Sequence, residues 1–371
     1  MLFYLLTFVN MRAFVFVSVL FLGGLLPAQE AERKLVVASA SIFADIADVI
    51  GGDLVEVRSI VPIGGDPHVY EPTPADVSLV SRADLILMNG LTFEGWINEL
   101  VANSRSSGEE SNRSRNPSLQ EQERDVGVRG TSPPAEVQII TKGIEPIGST
   151  DYANASDPHA WMNAVNGKRY VINVRDALIN LAPEFEGEFR FNAGIYLQQL
   201  DDLESYINEQ IERIPAPKRV LITSHDAFQY YGRHYGLRVE AALGTSTDAE
   251  VQTNDVARLT SIIRELEVPA IFVESTINPK LLRQIATDNG VIIGGELFAD
   301  SLAEPEHPAG TYLGMLRHNT DQIVSALLGL TGDIEIGRGP SKTQQGILLG
   351  LVLFVMLGAF GFMVVQLNRP G

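Results

Sequence analysis

The amino-acid sequence predicts an α/β protein of two lobes, with parallel sheets flanked by helices and one long helix that joins the lobes. Short apolar runs rich in β-branched residues recur along the chain, and amphipathic helical patterns separate most of them. Strands that alternate with helices form parallel sheets with helices on both faces. The runs that predict strands are Lys34–Ala38, Leu54–Pro62, Leu85–Asn89, Val137–Lys142, Arg219–Ser224, Arg238–Leu243, Ala270–Glu274 and Val291–Glu296. The shorter helical patterns include Ser41–Ile50, Asn254–Leu266, Pro279–Asn289 and Tyr312–Leu328.

The long helical pattern covers residues 183–214, where apolar side chains recur at helical spacing. Pro183 suits the first turn of a helix, and the prolines that follow residue 214 end it. A helix of about 30 residues is about 45 Å long, more than one small domain needs. We therefore expect it to link an N-terminal lobe, residues 33–182, to a C-terminal lobe, residues 218–331, with a cleft between them.

Both ends of the chain carry apolar runs that are not typical of a globular core. Arg12 precedes a short apolar run that ends in small residues, which predicts a signal peptide over residues 1–28, with Met1 or Met11 as the start and a retained membrane helix as the alternative. A second run predicts a transmembrane anchor over residues 346–367. The chain would then be exported and held at the outer side of the cytoplasmic membrane, on a tether of residues 332–345.

Residues 103–136 interrupt the alternation of strands and helices. This stretch is rich in Ser, Arg, Glu, Gly and Pro and has hardly any apolar side chains. Such a composition cannot bury enough surface to offset the entropy of ordering it. The sequence therefore predicts a disordered insertion within the N-terminal lobe.

The overall composition excludes several functions. The net charge is -18, with Lys+Arg 28 against Asp+Glu 46, and so acidic a chain repels nucleic acid. Cysteine is absent, which rules out disulfides, thiolate metal sites, a cysteine nucleophile and a cysteine-linked lipid. The chain also lacks a Gly-x-x-x-x-Gly-Lys-Ser/Thr loop and so does not itself use ATP.

Three of the six histidines lie where ligand sites form. His68 and His225 follow predicted strands, and the carboxyl ends of strands in α/β sheets collect ligands. His68 and His159 both belong to an Asp-Pro-His motif, in which the proline fixes the backbone just before the histidine. Imidazole is the commonest neutral ligand for zinc and similar ions. The remaining histidines, which look like surface or loop residues, are His234, His307 and His318.

A metal site also needs a carboxylate, both as a ligand and to offset the charge of the ion. Asp300, after the last predicted strand, is the first candidate. From spacing alone Glu274 and Glu296 are rivals.

In the sequence motifs around these histidines and Asp300, residues 35–330 resemble the zinc/manganese-type metal-binding proteins of ABC importers, the TroA-like solute-binding family. The resemblance implies the ligand set His68, His159, His225 and Asp300, in a cleft between two α/β lobes joined by a rigid helix. It also implies an importer permease and its cytoplasmic ATPase as partners, and a monomer. The motifs that match the family are Gly65–Asp76, Asp157–Met162, Ser224–Phe228 and Ala299–Leu302.

The third residue of this ligand set, His225, bears on the choice of metal. Members of the family that handle manganese tend to have glutamate where this chain has His225. Three imidazoles and one carboxylate suit Zn²⁺, whereas oxygen-rich sites suit Mn²⁺, so zinc is the first choice and Mn²⁺ or Fe²⁺ the alternatives. Two differences from the family's pattern leave the choice of metal open. Residues 103–136 contain no histidine, and the motif Ala249–Asn254 lacks the proline that is usual in the family.

The sequence thus predicts an extracytoplasmic receptor that captures a divalent metal ion and delivers it to an ABC importer. An enzyme is not expected, because four ligands can close a tetrahedron, whereas catalytic zinc keeps one position open. The alternatives from other classes are a secreted, membrane-anchored zinc-dependent hydrolase and an adhesin built on the same fold.

Overall fold

The computed structural model describes residues 33–105, 135–149, 155–248 and 251–330. Within these ranges no helix is both long and apolar enough to cross a membrane. The predicted signal peptide, tether and transmembrane anchor lie outside the described residues, as does most of the predicted insertion.

The N-terminal part of the described chain forms a parallel sheet with strand order β2-β1-β3-β4. The chain leaves β1 for one neighbour and returns on the other side, so the strand order reverses at β1. In such sheets a crevice opens at the carboxyl ends of the strands. The strands are β1 (Lys34–Ala38), β2 (Val55–Ser59), β3 (Leu85–Met88) and β4 (Glu136–Ile139). The helices are α1 (Ser41–Gly51), α2 (Pro74–Arg82), α3 (97–105) and α4 (Ala164–Leu181).

The C-terminal part contains two parallel strand pairs, β5 with β6 and β7 with β8. Strand β5 lies beside β7, so the two pairs form one layer. The strands are β5 (Val220–Thr223), β6 (Arg238–Ala241), β7 (Ala270–Glu274) and β8 (Ile292–Leu297). The helices are α6 (Gln229–Tyr235), α7 (Thr253–Glu265), α8 (Lys280–Asn289) and α9 (Tyr312–Leu327).

One long helix, α5 (Glu186–Glu212), joins the two parts. Its 27 residues span about 40 Å. It packs on α1 and α4 from the N-terminal part and on α6 and α9 from the C-terminal part. The buried stripe that makes these contacts is Phe189, Ala193, Tyr196, Leu200, Leu203, Ile207 and Ile211.

The largest hydrophobic cluster runs through both parts of the molecule. It includes Phe43 and Tyr170 from the first part, Tyr196 from α5, and Phe272 and Leu316 from the second. Because the stripe of α5 lies within this cluster, separating the two parts along the helix would expose buried apolar surface, which opposes large movement there.

Every apolar run that predicted a strand overlaps one, but several strands end earlier than predicted, β4 begins one residue earlier and β8 ends one residue later. The runs are longer because their last residues remain buried in the loops that line the crevice, as Ile60 and Val61 do after β2. His225 does not begin a helix, since α6 starts four residues later, at Gln229. The long helix begins at Glu186 rather than at residue 183, because Pro183–Phe185 form a separate 3-10 turn.

Candidate metal centre

The structure brings together His68, His159, His225 and Asp300. His68 lies in the loop after β2, and His225 lies two residues beyond the end of β5. His159 immediately precedes a 3-10 turn, and Asp300 lies in the loop after β8. Each residue offers one ligand atom, and these atoms all lie within 4.8 Å of one another.

The spacing of these atoms fits a tetrahedral ion. Nε2 of His159 lies 3.1 Å from Nε2 of His68 and 3.3 Å from Nε2 of His225. Oδ2 of Asp300 lies 3.1 Å from Nε2 of His225 and 3.8 Å from Nε2 of His68. Ligands that sit about 2.0–2.1 Å from a tetrahedral Zn²⁺ are about 3.3 Å apart. An ion can therefore reach all four groups with little rearrangement.

Carboxylates behind two of the imidazoles orient the rings. Asp157 Oδ1 lies 2.7 Å from Nδ1 of His159, and Glu274 Oε2 lies 2.7 Å from Nδ1 of His225. Each carboxylate also accepts the backbone N–H of the histidine that it supports. A carboxylate at Nδ1 leaves Nε2 free to bind a metal and fixes the direction of the ring.

The charges of the centre are strongly coupled. Burial disfavours the charged form of His159, but Asp157 and Asp300 outweigh it and raise its pKa to about 9. For His225, Glu274 and Asp300 outweigh burial in the same way, and its pKa lies well above the usual value. Burial instead lowers the pKa of His68 to about 3, although Asp300 opposes the change. An imidazole must be neutral at Nε2 to bind a metal, so an incoming dication displaces protons from His159 and His225.

Asp300 is the clearest sign that a cation belongs here. Burial alone would raise its pKa, but His225 and His159 hold it well below the usual value, so the carboxylate is charged. Both of its oxygens are buried, and no N–H or O–H of the described residues makes a well-aligned hydrogen bond to either. The protonated rings of His159 and His225 offset this buried charge, and a dication that displaces their protons would take over that role.

Aromatic rings close the inner wall of the centre. The ring centroid of Phe93 lies 5.0 Å from that of His68, and the Trp161 centroid lies 5.3 Å from that of His159. Trp161 Nε1 donates a 2.8 Å hydrogen bond to the carbonyl of Ala299, beside Asp300. These rings exclude water from one side, which strengthens the electrostatic interactions within the centre.

Glu94 fixes the turn that presents Phe93. Its carboxylate accepts hydrogen bonds from Ser39 Oγ and from the backbone N–H groups of Asn89 and Gly90. The turn contains two non-glycine residues with positive φ, Leu91 at 53° and Thr92 at 65°. Such backbone conformations are uncommon and persist where surrounding contacts hold them.

The other carboxylates and histidines that the sequence offered do not belong to the cluster of four ligand atoms. Glu274 lies behind His225, and Glu296 is a strand residue outside the cluster. His234 is exposed and pairs with Glu204 at 2.7 Å. The prediction that His318 is an ordinary surface residue is only partly right. Its ring is half-buried, and it packs with His307 against Phe298 because the loop after β8 folds back over α9.

Residues 36–326 match the model of the family described as "Zinc-uptake complex component A periplasmic", ZnuA. The chain belongs to this family. Its members are solute-binding receptors of ABC importers, so this ZnuA-family chain is a substrate-binding protein for metal import and not an enzyme.

Individual relatives of this ZnuA-family chain differ in the metal that they are named for. The manganese-binding lipoprotein MntA of Halalkalibacterium halodurans is 33% identical over 300 residues, which cover 81% of this chain and 90% of that protein. The iron-binding protein YfeA of Yersinia pestis is 32% identical over 299 residues, covering 80% and 87%. The periplasmic zinc-binding protein TroA of Treponema pallidum superposes with a TM-score of 0.68 at 32% identity, covering 80% and 99%. The likeness to TroA confirms the predicted α/β fold of two lobes.

Sequence reasoning missed the residues that support the ligands. The Asp-Pro-His motif could have indicated that Asp157 contacts the backbone of His159, but the same motif at Asp66 and His68 shows that it does not predict the contact to the ring. The sequence offers Glu274 only as a rival ligand, since nothing in the local sequence shows that the end of β7 lies behind His225. Trp161 and Phe93 gave no signal beyond their apolar character.

Proposed function

We propose that this ZnuA-family chain captures a divalent transition metal ion, with Zn²⁺ as the first choice, between His68, His159, His225 and Asp300. The observation that carries the proposal is the convergence of three imidazoles and one buried carboxylate, whose ligand atoms all lie within 4.8 Å of one another, with three pairs at 3.1–3.3 Å. The receptor would then pass the ion to an importer permease driven by a cytoplasmic ATPase.

Zinc is favoured because the donor set consists of three imidazoles and one carboxylate. Zn²⁺ takes four ligands readily, and imidazole suits it better than it suits Mn²⁺. The two supporting carboxylates keep His159 and His225 aimed at one point, which favours a small and fixed coordination sphere.

Manganese or iron is the second candidate, and one feature of Asp300 favours it. Oδ1 lies 3.4 Å from Nε2 of His159 while Oδ2 lies 3.1 Å from Nε2 of His225, so both oxygens face the cluster. A carboxylate that binds through both oxygens adds a fifth ligand atom, and an oxygen-richer sphere suits Mn²⁺. The names of MntA and YfeA agree with this candidate.

The test is metal titration of the full-length protein, purified in detergent and stripped with a chelator. We expect one ion per chain, and we expect His159→Ala and His225→Ala each to weaken binding by more than the roughly 10–100-fold that loss of an outer-shell partner costs. His234→Ala is the matched control, because this exposed imidazole pairs only with Glu204 among the described residues. Wild-type affinity in both ligand variants would reject the site. Competition between Zn²⁺ and Mn²⁺ in the same titration decides between the metals.

We also propose that residues 1–28 are an export signal and that residues 346–367 hold the receptor in the membrane of its importer. The support is the sequence: an apolar run without charge at the C-terminal end, and no cysteine to carry a lipid. In this arrangement residues 33–182 and 218–331 form the two lobes. Fractionation tests the anchor, since a chain ending at residue 345 should leave the membrane fraction while the full-length chain stays in it after an alkaline wash.

A further inference from the structure

The sequence motif Asp-Pro-His occurs twice in the metal centre, and its aspartate makes different contacts in each copy. In both copies the carboxylate accepts the N–H of the histidine two residues on, at 2.9 Å. Asp157 also contacts the ring of His159 at Nδ1. Asp66 instead accepts a 2.6 Å hydrogen bond from the hydroxyl of Thr247 through its second oxygen.

As a result, His68 is held differently from the other two imidazoles. In the part of the chain that the structure describes, no carboxylate contacts Nδ1 of His68. The support of His159 comes from its own segment, and the support of His225 comes from β7 beside β5. The support of His68 reaches through Asp66 to Thr247, which lies on the far side of the cleft.

Thr247 belongs to a loop that is fixed to the segment of His225. After β6, the N–H of Leu243 donates to the carbonyl of Ser224, and the N–H of Asp226 donates to the carbonyl of Gly244. The hydrogen bond from Thr247 to Asp66 therefore links the loop of His68 to the opposite wall of the same centre. It can form only when the two walls are close together.

We propose that Thr247 is a positioning residue for His68, and that its hydrogen bond to Asp66 couples closure of the cleft to the position of that one ligand. This inference rests on the proposed function of the site. When the walls part, this hydrogen bond breaks and Asp66 loses its contact with the opposite wall, so the segment that carries His68 is less restrained. His159 and His225 keep the carboxylates that stand behind them, so the ion loses one ligand first and leaves from that side.

The exposure of the ligands agrees with this direction of release. The side chain of His68 is 4% exposed, whereas those of His159, His225 and Asp300 are 0% exposed. The loop of His68 is also held at two other points: the N–H of Gly64 donates to Ser301 Oγ at 2.7 Å, and Trp96 Nε1 donates to the carbonyl of Pro67 at 2.8 Å. Removing the Thr247 hydroxyl should therefore loosen Asp66 and the ring of His68 without detaching the whole loop.

The experiment measures the rates at which a metal enters and leaves the full-length protein, using Zn²⁺ release to excess chelator and Co²⁺ absorption as a report on the ligands. Thr247→Val removes the hydroxyl at nearly constant shape, and Thr247→Ser keeps it. The matched control is Thr245→Val in the same loop. Thr245 also bonds across the cleft, to Ser149 Oγ at 3.0 Å, but not to the loop of His68.

We expect Thr247→Val to release Zn²⁺ about tenfold faster, which corresponds to about 1.4 kcal/mol, the scale of one hydrogen bond to a charged group. Its association rate should stay within about twofold of wild type, as expected when a change acts mainly on dissociation. The Co²⁺ spectrum should keep its four-coordinate form. Thr247→Ser and Thr245→Val should release the ion at the wild-type rate.

Two results would overturn the inference while leaving the proposed function intact. One is an unchanged release rate in Thr247→Val. The other is an equal acceleration in Thr245→Val, which would assign the effect to general closure of the cleft and not to His68. A wild-type protein that binds none of Zn²⁺, Mn²⁺ or Co²⁺ would overturn both proposals together.

Discussion

At the scale of single residues, a carboxylate that is not itself a candidate ligand holds one of the candidate ligands in place. Glu274 is buried at the end of β7 and holds His225 by two contacts, one to the ring and one to the backbone N–H. This arrangement leaves Nε2 of His225 as the nitrogen that faces the ion. It also places an additional carboxylate near the ion without making it a ligand.

We expect Glu274→Gln to weaken metal binding by roughly 10–100-fold. A glutamine amide can still accept the N–H of His225 through its oxygen. Its NH₂ group would then face Nδ1 of His225, which favours the wrong tautomer of the ring. Competition with a chromophoric chelator measures the loss.

Glu296→Gln is the control for this prediction, because Glu296 is also a strand-end carboxylate but lies outside the cluster. Equal affinities for Glu274→Gln and the wild type would show that the contact behind His225 does not orient the ring.

Contacts between residues of one short sequence motif were partly predictable from the sequence. Contacts between residues that are distant in the chain were not. The hydrogen bond from the N–H of each histidine to the aspartate two residues before it follows from the Asp-Pro-His motif, although only Asp157 also contacts the ring. The contact between Glu274 and His225 joins positions 49 apart, and that between Thr247 and Asp66 joins positions 181 apart. No local pattern marks such pairs, because burial and strand order create them.

At the scale of elements, glycines show where helix and sheet pack closely and where they do not. A Cβ added to Gly294 in β8 would lie 2.6 Å from the Cβ of Ala326 on α9 and 2.8 Å from the Phe272 ring. A Cβ added to Gly194 on the outer face of α5 would meet nothing within 4 Å. The same change should therefore act in opposite directions at these two sites.

We expect Gly194→Ala to raise the free energy of unfolding by about 0.5–1 kcal/mol, because alanine loses less backbone entropy in a helix. Gly294→Ala should lower it by about 1–3 kcal/mol, because β8 and α9 must separate to admit the methyl group. Urea unfolding of the metal-free full-length protein measures both values. A shift of the same sign in the two variants would contradict this account of the packing.

At the scale of the whole molecule, Asp45 lies where the two lobes meet the long helix. This α1 carboxylate accepts the N–H of Tyr312 at the start of α9, at 2.9 Å, and the hydroxyl of Tyr196 on α5, at 3.3 Å. Burial raises its pKa from 3.8 to about 6, although both hydrogen bonds oppose the change and the charge of Asp48 adds to it.

The raised pKa gives the stability of the protein a predictable dependence on pH. A carboxyl group whose pKa is higher in the folded protein stabilises the fold fully below its unfolded pKa, and that contribution is lost as the pH rises through the folded pKa. For Asp45 the loss falls between about pH 4 and pH 6. Above this range the molecule retains a partly buried charge at the junction of its lobes.

We expect Asp45→Asn to gain stability relative to wild type as the pH rises from about 4 to about 7, by about 1–3 kcal/mol in total. The amide oxygen can still accept both hydrogen bonds but carries no charge. Denaturant unfolding at a series of pH values measures the difference, with Asp53→Asn as control, because Asp53 is exposed and does not act on the pKa of Asp45. A difference between Asp45→Asn and wild type that stays constant over this range would show that Asp45 does not titrate as described.

The sequence by itself determined the order of strands and helices and the single long helix, because periodicity sets the elements. It also marked His68 and His225 as candidate ligands, because they follow strands, where α/β folds gather ligands. The full set with His159 and Asp300 came from the resemblance to the family, since spacing alone left Glu274 and Glu296 as rivals. Only the tertiary structure decided which carboxylates stand behind His159 and His225, and that the restraint on His68 comes through Thr247 across the cleft. These contacts depend on which strand ends become neighbours and how closely the walls approach, and neither is encoded in a local pattern of residues.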